Sequence, residues 1–335
     1  MDKAAMDQPP KSDAQNVRTS DISDLPRAQW LEAIEDIGED AGYFEPLGAD
    51  HCVMFSDEAP RLLVTFESYD SITERSENGL PLGYNFAKKH GWSHLSIIAH
   101  GSDPTSLWFR VHNIYGYFDR LVDEGFFEDF DQVVFYGAGH SGYAACAYSV
   151  ASPGATVIAI APQATLDARL ASWDKRFSNT RRMDFSTRYG FAPHMIDAAD
   201  HAMILYDPHI DPDAMHAALF KNRHTSLRPV RNFGADPEFE MLEMGAVEPI
   251  LIAAMNGVLT QRVVTRALRN RRHHAGYQRR LLTEVTAQNH PLLTTRLCTH
   301  VLKTRKARPF ESALGLAQKS MQEQGMTIPF DAKPD

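Results

Sequence analysis

The sequence is short of the features that mark several protein classes. Its 335 residues include only three cysteines, Cys52, Cys146 and Cys298. They lie far apart and form no CxxC pair, which argues against a zinc ribbon or a disulfide scaffold and fits a reducing, cytoplasmic setting. No run approaches 18 uncharged apolar residues, so no segment reads as a membrane-spanning helix. The opening stretch, MDKAAMDQPPKSDAQNVRTSDISD, has no apolar core and does not read as a secretory signal. Histidine is missing altogether between 225 and 272. The most basic stretch, 258–308, contains one aromatic, Tyr277. That leaves little surface for base stacking, so a nucleic-acid partner is not expected.

What is there is ordinary globular composition, 43% hydrophobic and 23% charged, enough for one large domain or two. The net charge of −9 is unevenly spread. Residues 258–308 hold twelve Lys and Arg against a single acid, Glu284, and the remainder is strongly acidic. Such a segment can dock on the acidic body, on a second copy, or on a polyanion. Self-association through it is the partner expectation, beside a small-molecule ligand.

The chain divides into a polar arm, 1–22, expected to be disordered; an α/β domain, 23–257; and a basic helical extension, 258–335. RAQWLEAIEDIGEDAG (27–42) spaces its apolar residues as a helix. HCVMFSD (51–57) and RLLVTFE (61–67) read as strands joined by a Glu58-Ala59-Pro60 turn, the start of a hairpin. Strands then alternate with helices: 94–100, 131–137, 155–162, the HAMILYD segment and 226–234 are apolar runs of strand length. Such runs predict a mostly parallel sheet with helices on both faces.

In an open α/β sheet, ligands bind beyond the carboxyl ends of the strands. That rule selects Glu67-Ser68, His100-Gly101, Gly137 to Ser141, Pro162-Gln163, Asp207 to His209 and Gly234 to Asp236. The most informative is VVFYGAGHSGYAACAYSV (133–150), a strand, a glycine-rich turn and a helix. As a nucleophile elbow, which holds its nucleophile on a strained turn between small residues, it has two frames. Gly137 to Ser141 puts Gly139, which has no side chain, in the nucleophile slot. Gly139 to Tyr143 puts Ser141 there, but sets Tyr143 where a small residue is needed, so the first frame is favoured. The same residues also match GxGxxG as a phosphate cradle, although no acid ends the next strand.

On this pattern the chain resembles the α/β-hydrolase superfamily over about 50–250. The resemblance implies an order of nucleophile, acid, histidine. Asp207 falls at the acid position, but Phe233-Gly234-Ala235-Asp236-Pro237 stands where the histidine should be. It also implies a backbone oxyanion donor near Ser68. The expected site therefore comprises Ser68, Gly137, Ala138, Gly139 and His140 as ligand-binding residues. Should the site be catalytic, Ser141 is the nucleophile, Asp207 the acid and His100 a substitute base. The expectation is a hydrolase-like binding or interaction protein with a degenerate centre, needing no cofactor and no metal. The alternatives are a serine hydrolase or acyltransferase, or a nucleotide-binding enzyme.

The residues between 163 and 197, with Trp173, Arg176, Phe177, Arg181 and Arg182, fall where hydrolase folds insert a lid. Asp207, His209, Asp211, Asp213 and His216 are spaced closely enough for a divalent ion, yet a helix start at Asp211-Pro212 accounts for two of them. The chain also resembles a group of bacterial proteins sharing the GYFDRLVDEGFFEDFDQVVFYGAG and PQATLD stretches, which often carry the name phosphoadenosine phosphosulfate reductase. Its residues do not support that chemistry. The SxGxxS loop is missing, and Cys298 sits in RLCTHVL without a Glu-Cys-Gly context.

Overall fold

The computed structural model describes residues 21–326. The expected arm, 1–22, lies almost entirely outside the described residues, as do the final positions of the extension. Helix α1 (Arg27–Ala41) buries Trp30 and Ile34. Strands β1 (Gly42–Pro46), β2 (His51–Ser56) and β3 (Arg61–Ser68) follow, then α2 (Tyr69–Arg75), α3 (Leu82–His90) and β4 (Ser93–Ala99). Helix α4 (His112–Asp123) leads to β5 (Gln132–Ala138), and α5 (Gly139–Tyr148) to β6 (Thr156–Ile160). Short helices α6 (Ala168–Ala171) and α7 (Ala192–Met195) precede β7 (His201–Tyr206), and α8 (Asp211–Leu219) precedes β8 (Thr225–Pro229).

The eight strands form one sheet in the order β1-β2-β4-β3-β5-β6-β7-β8. β2 runs antiparallel to both its neighbours, and every pairing from β4 to β8 is parallel. The mostly parallel sheet expected from the apolar runs is therefore present, in an α/β-hydrolase-like architecture. The expected hairpin is not. β4 lies between β2 and β3, because the turn after β2 is pinned to the start of β4. The N–H groups of Glu58 and Ala59 both donate to Ser93 Oγ, at 2.9 and 3.0 Å. β1 begins at Gly42, which the sequence suggests only as a helix stop. β8 ends at Pro229 rather than 234, and the chain beyond it turns toward the end of β7, where Val230 N–H donates to Tyr206 O at 2.8 Å.

Two apolar layers sandwich the sheet. On one face Val64, Phe66 and Phe135 pack against Phe118 of α4 and Tyr143, Ala144 and Ala147 of α5. The other face sets Val134, Ile158, Met203 and Leu205 against Ala246, Ile250, Leu251 and Ala254. Those last four belong to or adjoin α10 (Val247–Met255), which follows α9 (Pro237–Glu243). The C-terminal region is helical: α11 (Gln261–Ala267), α12 (Ala275–Ala287), α13 (Pro291–Leu302) and α14 (Arg308–Glu323). Its last three helices share a separate apolar cluster of Leu282, Val285, Cys298, Val301, Phe310 and Leu314. α12 is tied to the sheet domain by Arg280, which donates to Asn232 O at 2.9 Å and pairs with Glu240 at 2.5 Å. No helix among the described residues is long and apolar enough to cross a membrane.

Candidate functional site at the β5–α5 turn

β5 ends in extended backbone at Ala138, and the next residue, Gly139, turns left-handed with φ +54°. That is the sharp position of the turn. A Cβ built on Gly139 meets nothing within 4 Å, so the slot is open. Gly137 is different: a Cβ there would stand 2.3 Å from Ser141 O, because the chain doubles back on itself. Ser141 sits two residues past the bend, in the first turn of α5. The bend thus falls on Gly139 and not on Ser141. A second left-handed residue lies beside it. Ala161, just past β6, has φ +47°, a conformation costing an L-residue about 1–2 kcal/mol.

These strand ends enclose a cavity of about 320 Å³. It brings together Ser68, Gly137, Ala138, Gly139, His140 and Ser141. Neither His100 nor Asp207 lines it. His100 lies at the end of β4, where its N–H donates to Asp50 O at 2.8 Å and its carbonyl accepts from Arg27 Nη1 at 3.2 Å. Partial burial lowers the pKa of its ring. Asp207 is buried, and its carboxylate is consumed by backbone. Oδ2 accepts from Phe233 and Gly234 N–H at 2.7 and 2.8 Å, and Oδ1 from His209 N–H at 3.0 Å. The acid therefore fastens the loop that the resemblance would have carry a histidine. Ser68 caps α2: its Oγ accepts from Ser71 N–H at 3.1 Å, and its own N–H donates to Ser71 Oγ at 3.0 Å. The backbone donor anticipated there already has a partner.

One wall of the cavity is built on a buried carboxylate. Glu67 accepts from Thr65 Oγ1 at 2.8 Å and from the N–H groups of Leu82 and Gly83 at 2.6 and 3.1 Å. Burial pushes its pKa up to about 7, against the pull of these hydrogen bonds. Thr65 Oγ1 also shares a hydrogen bond with His94 Nε2, at 2.9 Å. The fully buried His94 is held neutral, its pKa pushed down to about 3. Nearby, Tyr136 donates to Glu238 at 2.5 Å. Arg75 pairs with Glu238 and, at 2.8 Å, with Asp236. Burial raises both Tyr136 and Glu238.

The opposite wall comes from the segment after β6 and from α8. Arg176 bridges Asp213 at 2.7 Å and Asp174 at 2.8 Å. Asp174 also accepts from His216 Nε2–H at 3.0 Å, while His216 Nδ1 accepts from Ala164 N–H at 3.1 Å. Asp213 and His216, two of the residues spaced for a divalent ion, thus take protein partners. Phe177 and Trp108 flank the His140 ring, with centroids 5.2 and 4.5 Å away. Burial, with a smaller contribution from Arg176, lowers His140 to about 4, so the ring is neutral at pH 7.

Glu67, Gln163 and Asp236 are among the positions that the sheet rule selects, although β6 and β8 end before the last two. Arg75, Tyr136 and Glu238 were not legible as site residues, and Asp213 was singled out only as a possible ligand of a divalent ion. Arg75 belongs to α2, whose only sequence signal is the Ser68–Ser71 capping pair, and Glu238 becomes a wall residue only because α9 folds back over β5.

No protein-family model matches the chain, and no curated protein sequence matches it. Among solved structures, it is similar to the Glycosylation Associate Protein (Gap123) complex from Streptococcus agalactiae, with 15% identity and a TM-score of 0.43. That match covers 63% of this chain and 46% of the other, so the chain spans less than half of that relative. The capsule O-acetyltransferase of Neisseria meningitidis serogroup A matches with 13% identity and a TM-score of 0.38, covering 62% of this chain and 92% of that one. Est1E from Butyrivibrio proteoclasticus matches with 10% identity and a TM-score of 0.39, covering 64% and 98%. The architecture described above rests on strand order and the β5–α5 turn, not on these distant similarities.

Proposed function

We propose that this protein binds a small molecule in the cavity over the β5–α5 turn and does not carry out acyl chemistry there. The observation that carries the reading is Gly139. It occupies the left-handed turn position at which a hydrolase of this architecture needs a nucleophilic side chain. Two further features agree with it. Asp207 is committed to three backbone N–H groups, and no histidine occurs from 225 to 272 to serve as the base. A nucleophilic serine needs an adjacent base and an orienting group to act on it.

A second reading keeps Ser141 as the nucleophile of a hydrolase or acyltransferase, and one observation favours it: Ser141 lines the same cavity. Its nearest histidine in sequence, His140, is packed between aromatic rings and is a weak base. A fluorophosphonate probe separates the two readings when wild type is compared with Ser141→Ala. The binding reading expects no labelling of the folded protein. Labelling that disappears in the variant overturns it in favour of acyl chemistry at Ser141.

A further inference from the structure

We infer that the cavity's ligand is an uncharged polyhydroxylated molecule, a single sugar ring or a polyol. This rests on the binding reading above and deepens it. Two residues that line the cavity each hold a buried oxygen without a protein partner, Gln163 Oε1 and Asp213 Oδ2. Both side chains belong to residues at most 3% exposed. Buried acceptors without donors are costly and uncommon, so each calls for a donor from outside the chain. The orientation of the Gln163 amide is fixed by its Nε2, which donates to Ala161 O at 3.3 Å, leaving Oε1 as the free end. Asp213 gives its other oxygen to Arg176. Arg75, which also lines the cavity, has a buried Nε donor without an acceptor. The α5 N-terminus adds backbone N–H groups that lack intrahelical partners, with no side chain capping them.

A ligand that both donates and accepts at several points matches this set. Hydroxyl groups do both, whereas a carboxylate or phosphate only accepts and an ammonium only donates. The charges point the same way. The two cavity-lining arginines are already paired, Arg75 with Asp236 and Glu238 and Arg176 with Asp174 and Asp213. Both lining guanidinium charges are thus already offset by carboxylates, which weakens their pull on an anion, while Arg176 offsets Asp213 and blunts its pull on a cation. Phe109, Phe177 and His140 supply the apolar surface against which a ring's C–H face can rest. A volume of about 320 Å³ lies at the small end of ligand pockets, suiting one ring rather than an oligosaccharide.

The test is saturation-transfer NMR on the full chain with free glucose, galactose, mannose, N-acetylglucosamine, ribose, sorbitol and inositol at tens of millimolar. Ethanolamine, acetate and inorganic phosphate serve as charged comparators. The proposal expects transfer to at least one sugar or polyol, weakened about tenfold by Gln163→Leu, the loss of one buried hydrogen bond. Asp213→Asn keeps the shape and replaces the free acceptor with a donor, and it should weaken the same ligand if the leucine variant fails to fold. Transfer to a charged comparator alone overturns the ligand class and leaves the binding reading standing. Transfer to none of the panel overturns the class too. Serine labelling by the fluorophosphonate overturns the reading beneath it.

Discussion

The two glycines that bracket Ala138 should respond to substitution very differently, and the difference can be worked out from the turn. At Gly139 a side chain meets no atom within 4 Å, so its only penalty is the left-handed φ of +54°, about 1–2 kcal/mol. At Gly137 the new Cβ would stand 2.3 Å from Ser141 O and 2.8 Å from Gly142 N, both backbone atoms that cannot swing aside. Relieving that overlap means reopening the turn, at about 3 kcal/mol or more. Urea unfolding of Gly139→Ala and Gly137→Ala measures both. Gly139→Cys adds a chemical readout. The native cysteines Cys52, Cys146 and Cys298 are all buried, and burial raises their thiol pKa values. Wild type should therefore stay silent to a thiol reagent such as dithionitrobenzoate until it unfolds. A cysteine at 139 would face the cavity at the start of α5, where the helix lowers thiol pKa, and should react in the native state with one equivalent. A folded Gly139→Cys that stays unreactive, or a Gly137→Ala no worse than Gly139→Ala, refutes this account of the turn. The expected pattern means that a side chain is absent at the bend by residue choice and not by crowding.

Two more outcomes follow from buried carboxylates. Glu67 has a folded pKa near 7 and an unfolded value near 4.5, so it favours folding fully below pH 4.5 and loses that contribution as pH rises through 7. The effect amounts to about 3 kcal/mol. Glu67→Gln should therefore gain on wild type by about that much between pH 4.5 and 7.5 in chemical denaturation, and a constant difference between the two proteins would sink the assignment. His94, held neutral down to about pH 3, acts in the opposite sense, its contribution lost as pH falls below 6.5. Asp207→Ala should cost about 3–5 kcal/mol by stranding the N–H groups of His209, Phe233 and Gly234; a midpoint close to wild type in thermal unfolding would mean that the loop does not depend on it.

The sheet was legible because its strands announce themselves locally. Residues 94–99 and 156–160 are apolar runs of strand length, and such runs can be buried only at the centre of a covered sheet. Pairing order was less accessible. The turn at Glu58-Ala59-Pro60 looks like a hairpin turn from its own residues, and only Ser93, more than thirty residues away, decides otherwise. β1 carries one strongly apolar side chain, Phe44, in GYFEP, so its pattern is too weak to separate from a helix end. Within the site, the glycine turn was legible because backbone geometry restricts residue choice at each step. The charged walls were not, since Arg75 and Glu238 acquire their meaning from distant partners, and the spacing of Asp213 suggested a metal ion and not its pairing with Arg176.

If the proposed binding reading holds, Asp207 illustrates how a carboxylate at the acid position can serve the fold without acyl chemistry. A triad acid has to be buried and hydrogen-bonded, and those requirements can be met by backbone donors as well as by an imidazole. Here the N–H groups of Phe233 and Gly234 supply them, so the acid serves the fold through backbone contacts. The same logic covers Gly139. Once no side chain is needed at the bend, glycine is the residue that holds a left-handed φ at least cost. A glycine at this bend therefore avoids the strain that any side chain would bring, and the cavity is formed without one. On the proposed binding reading, the unmet hydrogen bonds of Gln163 and Asp213 would be met by a ligand that is held and not cleaved.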